Sequence, residues 1–371
     1  MPPTENGHAP LTQEQVLDAV RSVKEPESGR GLVDLKMIPA VEIRDRDVAL
    51  TVELATPISP AKPRLEQELR EALATLPGVG DVTINWSSRI RASGSGSPNA
   101  QPIKGIKNTV AVASGKGGVG KSTVAVNLAV ALAKAGAKVG LLDADVYGPS
   151  IPLMMGRHDK PLMRGGKIVP LEAHGVHLMS IGFILDPDKA LIWRGPLVAQ
   201  LITQFLNDVD WGELDYLIID LPPGTGDVQL TLVQKIPISG AVIVATPQDV
   251  ALADAVKGLK MFQEVKTPIL GIVENMSGFV CPDCKSVHYI FRQGGGKRVA
   301  EENDVPFLGE IPLEPAIVEG GDTGLPIVVA AQDGLSGQAF AAIAGRVASR
   351  LAADAIAKPR KPTIMLRPAG Q

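Results

Sequence analysis

Apolar and polar positions follow two different rhythms along this chain. Up to about residue 90 they alternate in short, regular patterns, and beyond residue 105 they come as solid apolar blocks separated by glycine-rich turns. Val16, Val20 and Val23 mark one helical face, which Thr12 and Gln15 would open as a capping box. Val41 and Ile43, then Val48, Leu50, Val52 and Leu54, alternate as two strands joined near Arg44–Asp47. Leu65, Leu69 and Leu73 fall at four-residue spacing on a second helix, and Val82, Ile84 and Trp86 alternate on a last strand. The order α-β-β-α-β predicts a small α+β domain over residues 11–90.

The segment ASGSGSPNAQPIKG (92–105) replaces any periodicity with Ser, Gly, Pro and Asn, so residues 91–106 read as a flexible linker. Strand-like runs then appear at Thr109–Ala113, Val139–Leu142, Leu217–Ile219, Ala241–Ala245, Leu270–Val273 and Phe307–Ile311. Most are continuously apolar, as strands buried on both faces should be. Helical patterns lie between many of them, which predicts an α/β domain over residues 107–355 with a doubly wound, mostly parallel sheet. A last helix over Leu335–Ala353 gives way to a basic tail, residues 356–371, in which Pro359, Pro362 and Pro368 forbid a continuous amphipathic helix.

Composition narrows the function classes. Of 371 residues 45% are apolar and 21% charged, and 37 Lys and Arg against 40 Asp and Glu leave a net charge of −3. That is a globular composition without a global field for nucleic acid or an anionic membrane. Lys358, Arg360, Lys361 and Arg367 make a small basic tail, read here as solvated. The most apolar stretch, Val124–Leu142, is interrupted by Asn127, Lys134 and Lys138, and MPPTENGHAP has neither signal-peptide nor transit-peptide character. The expectation is a cytoplasmic protein with no nucleic-acid or membrane partner. Two cysteines, Cys281 and Cys284, exclude a disulfide framework and point to a reducing compartment.

The strongest chemical signal is Gly115-Lys-Gly-Gly-Val-Gly-Lys-Ser122, which matches G-x-x-x-x-G-K-[ST] directly between an apolar strand and a helix over Ser122–Ala135. Gly115, Gly117, Gly118 and Gly120 let backbone N–H groups turn inward on phosphate oxygens, with Lys116, Val119 and Thr123 completing the loop and helix start. Lys121 should reach the β and γ phosphates, and the Ser122 hydroxyl should ligate Mg2+. Asp220 ends the run Tyr216–Asp220, where a strand-terminal carboxylate can hold the Mg2+ shell. Asp143 and Asp145 end the preceding run and should share the same sheet edge, although each alone would pass for a turn former. Spacing does not say which of them orients an attacking water. Lys116, taken by itself, is a solvated loop residue.

Cys281-Pro-Asp-Cys284 is a CxxC, with three chemistries open to it: a redox dithiol, part of a metal site, or two plain thiols. The context is not that of a thioredoxin-like redox motif. With His288 it gives C-x2-C-x3-H, one ligand short of a zinc site. A four-thiolate iron–sulfur cluster needs four cysteines, which two copies of the chain supply on a symmetry axis.

Taken together, these motifs resemble a known family. GKGGVGKST is similar to the deviant Walker A of the SIMIBI-class ATPases, the relatives of ParA, MinD and the nitrogenase iron protein. DADVYGPS (143–150), IIDLPPGTGD (218–227), ATPQDVALADA (245–255), ENMSGFVCPDC (274–284) and GGGKRVAEENDVPFLGEIPL (294–313) resemble the Mrp/ApbC iron–sulfur cluster carrier ATPases over residues 105–350. The N-terminal domain resembles the MIP18 (DUF59) module. The resemblance implies a homodimer that binds and slowly hydrolyses ATP, and carries a labile 4Fe-4S cluster, bridged between protomers by Cys281 and Cys284, to apoproteins from an assembly scaffold. It also implies roles for single residues: Lys116 reaching the partner protomer's nucleotide, Asp145 orienting the hydrolytic water, Asp220 as the Walker B carboxylate and Asn275 at the adenine.

Two positions depart from the family pattern. Lys285 follows the second cysteine where a glycine is common, and Thr56-Pro-Ile-Ser-Pro60 has Ser59 where MIP18-like modules often carry a reactive cysteine. The N-terminal domain is therefore expected to dock rather than to do thiol or metal chemistry. The competing readings are a ParA/MinD-like positioning ATPase, an ATPase with a structural zinc at the CxxC and, weakest for want of an acceptor site, a small-molecule kinase.

Overall fold

The computed structural model describes residues 10–26, 28–93, 102–184, 195–281, 283, 284 and 286–357. Helix α1 (Gln13–Ala19) opens on the reciprocal cap: the Gln15 N–H donates to Thr12 Oγ1 at 3.3 Å, and the Thr12 N–H donates to Gln15 Oε1 at 2.9 Å. The helix stops at Ala19, short of Val23; a 3-10 turn over Val20–Ser22 follows and Val23 is extended. Strands β1 (Ala40–Arg44) and β2 (Asp47–Leu54) pair antiparallel around Asp45–Arg46, with Asp45 left-handed at φ 56°. Helix α2 (Lys62–Ala74) buries Leu65, Leu69 and Leu73 against them, and β3 (Val82–Ser88) adds to β2 in parallel. These residues close a core of their own with Val16, Val20, Leu50 and Val52.

The second part runs β4 (Ile106–Ala113), α3 (Lys121–Lys134), β5 (Val139–Asp143), α4 (Ile151–Met154), β6 (Met163–Arg164), β7 (Lys167–Ile168), β8 (Leu171–Ala173) and β9 (Val176–Ser180). It continues through α5 (Gly195–Asp208), β10 (Leu214–Asp220), α6 (Asp227–Lys235), β11 (Gly240–Ala245), α7 (Asp249–Glu264), β12 (Ile269–Val280) and β13 (Val287–His288). It ends on α8 (Gly295–Glu302), β14 (Phe307–Leu313), α9 (Pro315–Thr323), α10 (Ile327–Ala330) and α11 (Leu335–Ala357). The sheet order is β8-β9-β5-β10-β4-β11-β12-β13, with β14 also on β12; only β8 and β13 run antiparallel. One apolar cluster, with α3 and α11, covers one face, and a second, with α5, α6 and α7, covers the other. This is a doubly wound, three-layer α/β arrangement.

Two elements outrun their sequence patterns. β12 continues past Val273 to Val280, because its outer half pairs with β14 and β13 instead of facing water. α11 continues past Ala353 to Ala357, because Ile356 packs on the core of the N-terminal domain. The Thr56–Pro60 loop of that domain sits against the α/β part. Tyr216, which is buried, hydrogen-bonds Thr56 through its hydroxyl, and burial pushes the Tyr216 hydroxyl up from its usual range. Ile58 packs on the α3/α11 core, and Gly345 leaves the space that Pro60 fills: a Cβ there would stand 3.1 Å from Pro60 Cγ. The ends of the linker are also held, since Asn108 accepts from the Ser93 N–H at 3.0 Å and donates to the Arg91 carbonyl at 3.1 Å. Residues 94–101 of the linker, Lys285 and the tail residues 358–371 lie outside the described residues.

Candidate functional site

The first site forms where β4, β5 and β10 end. β10 pairs with both neighbours, and its register sets Asp220 beside Asp143 on one side and Val112 on the other. The glycine loop leaves β4 and enters α3 through Gly120, which is left-handed at φ 81°. Two of its glycines are required by close approach: a Cβ on Gly115 would meet the Asp254 carbonyl of α7 at 2.1 Å, and one on Gly120 would meet Asn275 Nδ2 at 2.1 Å. Gly117 and Gly118 face open space, where an anion could approach. Val119 is buried in the core and anchors the loop.

Lys121 is 6% exposed and points back at the strand ends. Its ammonium donates to Asp220 Oδ1 at 2.6 Å and lies 3.5 Å from Asp145 Oδ2. The Ser122 hydroxyl donates to Asp220 Oδ2 at 2.5 Å. Asp143, fully buried, accepts from the Asp145 N–H at 3.1 Å and from the Ser180 hydroxyl at 3.0 Å. Burial, then the Asp220 charge, pushes the Asp143 carboxyl up to about 8. Burial also raises Asp220, while the Lys121 ammonium opposes the rise. Lys121 is thus the counter-charge of a buried carboxylate cluster. Ser122 and Asp220 are hard oxygen donors hydrogen-bonded to one another beside the glycine loop, a pair that fits Mg2+.

Lys116 projects from the loop half-buried, and no acceptor among the described residues lies within hydrogen-bond distance of its ammonium. Asn275, at the middle of β12, donates from Nδ2 to the Val119 carbonyl at 2.9 Å, so the strand touches the glycine loop directly. A cavity of about 280 Å³ opens beside Gly120 and Thr123, bordered by Asn275, Met276, Pro312, Leu313 and Glu314. Sequence reasoning reached Gly120, Thr123 and Asn275 but not the other cavity residues. It also missed Ser180 and Glu274. Glu274, fully buried, accepts from the Gly294 N–H at 3.0 Å and the Gly296 N–H at 2.5 Å at the start of α8. Its charge within an otherwise apolar strand run was the available signal.

The two cysteines are not part of this cluster. They occupy the hairpin between β12 and β13, with Cys281 six residues beyond Asn275 along the chain. Cys281 is half-buried and Cys284 exposed, both as free thiols. Cys284 Sγ lies 2.8 Å from the Ser286 hydroxyl, which lies 3.0 Å from His288 Nε2. The Ser286 contacts, then that of Cys281, draw the Cys284 thiol down to about 7. Among the described residues no group of three or more His, Cys, Asp or Glu side chains is arranged to hold a metal ion. Val287, Tyr289 and Ile290 around the pair are exposed.

Comparison with known proteins sets this geometry in a family. Residues 105–348 match the model of the NUBPL iron-transfer P-loop NTPases, and residues 13–86 match that of an iron–sulfur cluster assembly protein. The chain is 47% identical over 352 residues to an iron–sulfur cluster carrier protein of Synechocystis sp., covering 93% of this chain and 99% of that protein. A nucleotide-binding protein from Archaeoglobus fulgidus, solved in complex with ADP, is 44% identical with a TM-score of 0.54, over 60% of this chain and 88% of that one. The cell division ATPase MinD of Pyrococcus furiosus shares the fold at a TM-score of 0.50 and 23% identity, over 65% of this chain and 98% of that one. No helix among the described residues is long and apolar enough to cross a membrane.

Proposed function

Because this chain belongs to the NUBPL iron-transfer P-loop NTPase family, we propose that it is an ATP-hydrolysing homodimer that carries a labile 4Fe-4S cluster and passes it to apoproteins. The observation that carries the reading is the pairing of the Lys121–Asp220–Ser122 cluster at the glycine loop with a thiol pair around which no further metal ligands are grouped among the described residues. Two copies of the hairpin would supply the four thiolates that such a cluster takes.

At the nucleotide, Lys121 would leave Asp220 for the β and γ phosphate oxygens, and the backbone N–H groups from Gly117 to Lys121 would hold the remaining charge. Ser122 and Asp220 would hold Mg2+, which when bound neutralises charge on the phosphate oxygens. Asp145, with 13% of its side chain exposed against none for Asp143, is the carboxylate placed to orient water; Asp143 supports it through the Asp145 N–H. Lys116, with no acceptor among the described residues, would reach the nucleotide of a second copy as the dimer closes. The cavity beside Asn275 and Met276 would take the base. Val287, Tyr289 and Ile290 would be covered in that dimer.

The test is anaerobic loading with iron and sulfide, followed by transfer to an apo-ferredoxin read as recovery of the acceptor's absorption. Transfer should occur with the native chain and fail with Cys281→Ala/Cys284→Ala. Equal transfer by both would overturn the proposal.

A further inference from the structure

The strand that touches the glycine loop is the same strand that ends at the cysteines, and it is not regular between them. Asn275 of β12 pairs with Ile311 and Phe279 with Leu313, so four steps of β12 are matched to two of β14. The extra residues form a bulge over 276–278. Within it Met276 is left-handed at φ 58°, a conformation disfavoured for a long, non-glycine side chain. The side chain of Met276 lies toward the glycine loop. It borders the cavity assigned above to the base, and its methyl group reaches the glycine loop: a Cβ on Gly120 would lie 3.8 Å from Met276 Cε.

The other end of the bulge touches the cysteine hairpin. Gly278 is buried beneath the returning strand, where a Cβ would stand 3.0 Å from Val287 Cγ1 and 3.3 Å from Tyr289. Directly after it, Phe279 pairs with His288 and Val280 with Val287, and Cys281 follows. Within the bulge itself the Ser277 hydroxyl donates to the Ile311 carbonyl at 3.2 Å. The frame around the bulge is pinned. Glu274 ties the strand to the start of α8, and Asp249 ties Arg292 and Arg298 beyond the hairpin to α7. The bulge is the one irregular span of β12 between Asn275 and the hairpin, with fixed contacts on both sides.

We infer that the Met276–Gly278 bulge is a hinge through which a nucleotide base in the adjoining cavity repositions the Cys281–Cys284 hairpin. A base seated against Met276 displaces the side chain that holds the bulge. The backbone then redistributes its twist toward Phe279 and Val280, and the hairpin moves with them. The inference rests on the nucleotide reading of the site but not on the cluster.

Cys281 and Cys284 are the only cysteines of the chain, so they report on themselves. Iodoacetamide alkylation of the metal-free full-length protein is measured without and with saturating Mg-ADP, whose binding is followed independently by calorimetry. In the native chain the rate should change about five-fold or more, the low end of ordinary site-to-site coupling. Gly278→Ala pushes Val287 and Tyr289 off the bulge and should leave ADP affinity unchanged while reducing the rate ratio to about one. Met276→Gly removes the lever from the nucleotide side and should abolish the ratio at saturating ADP as well; the two variants guard against either failing to fold. ADP binding with no change in the native alkylation rate overturns the hinge and leaves the nucleotide site intact. Full retention of the native ratio in a folded variant also overturns it. Failure to bind ADP at all would instead strike the nucleotide reading on which the hinge rests.

Discussion

Lys121 and Asp220 at the proposed nucleotide site are 6% and 0% exposed, and each is held by short hydrogen bonds within the chain. Cys284 and His288, on a hairpin whose return strand is two residues long, are open to solvent and linked through Ser286. The phosphate site hangs from the ends of three core strands, where geometry is inherited from the sheet. The thiol site hangs from the end of one strand, outside both cores. A group that must stabilise the same charge at every turnover gains from such preorganisation. A group that must take up and release cargo gains from exposure and from ligands that are completed only by a second chain. If this contrast is right, damage to one region should leave the other working.

The largest effect belongs to Lys121→Ala. ATP turnover should fall about 100-fold or more, and the nucleotide-free protein should melt lower because the Asp220 and Asp145 carboxylates lose their cation. Iron loading on the hairpin should persist. Conversely, Cys281→Ala/Cys284→Ala should abolish iron and sulfide retention while ATP turnover stays within about two-fold. Loss of both activities in either variant would break the separation.

A pH measurement sharpens the buried side. Asp143 has its carboxyl raised to about 8 in the folded chain against 3.8 in the reference state, chiefly by burial and then by Asp220. The folded form therefore binds the proton more tightly than the unfolded form. The contribution to stability is full below about pH 4 and lost as the pH rises through about 8. The melting temperature of the nucleotide-free protein should fall between about pH 4 and about pH 8 and level off above, and Asp143→Asn should flatten the fall. On the exposed side the effect is smallest. Cys284, drawn down to about 7, should alkylate half-maximally near that pH. Ser286→Ala should shift the profile upward and slow alkylation at neutral pH about three-fold.

The two regions were also unequally legible in the sequence. The glycine loop, Lys121, Ser122 and the strand-terminal aspartates carry their chemistry in residue type and spacing, and solid apolar runs marked most strands of the sheet. What joins the regions was hidden. β12 beyond Val273 mixes Glu274, Asn275, Ser277 and Gly278 with apolar residues, and no single period describes a strand with a bulge in it. Ser180 and Pro312 come to the site through the order of strands in the sheet, which local pattern does not encode. The short strands over 163–173 are largely exposed and lack an apolar block to reveal them. The Thr56–Pro60 loop packs where Gly345, nearly three hundred residues away, leaves room for Pro60, a contact that local spacing does not encode.

The central claim is that an exposed thiol pair becomes a cluster site by pairing two chains. Its most direct test is oligomer mass, iron and acid-labile sulfide measured on one anaerobically reconstituted sample. The account predicts a dimer with about four irons and four sulfides, reverting to iron-free protein when both cysteines are replaced. Iron held at the same ratio by a monomer, or retained by Cys281→Ala/Cys284→Ala, would contradict it.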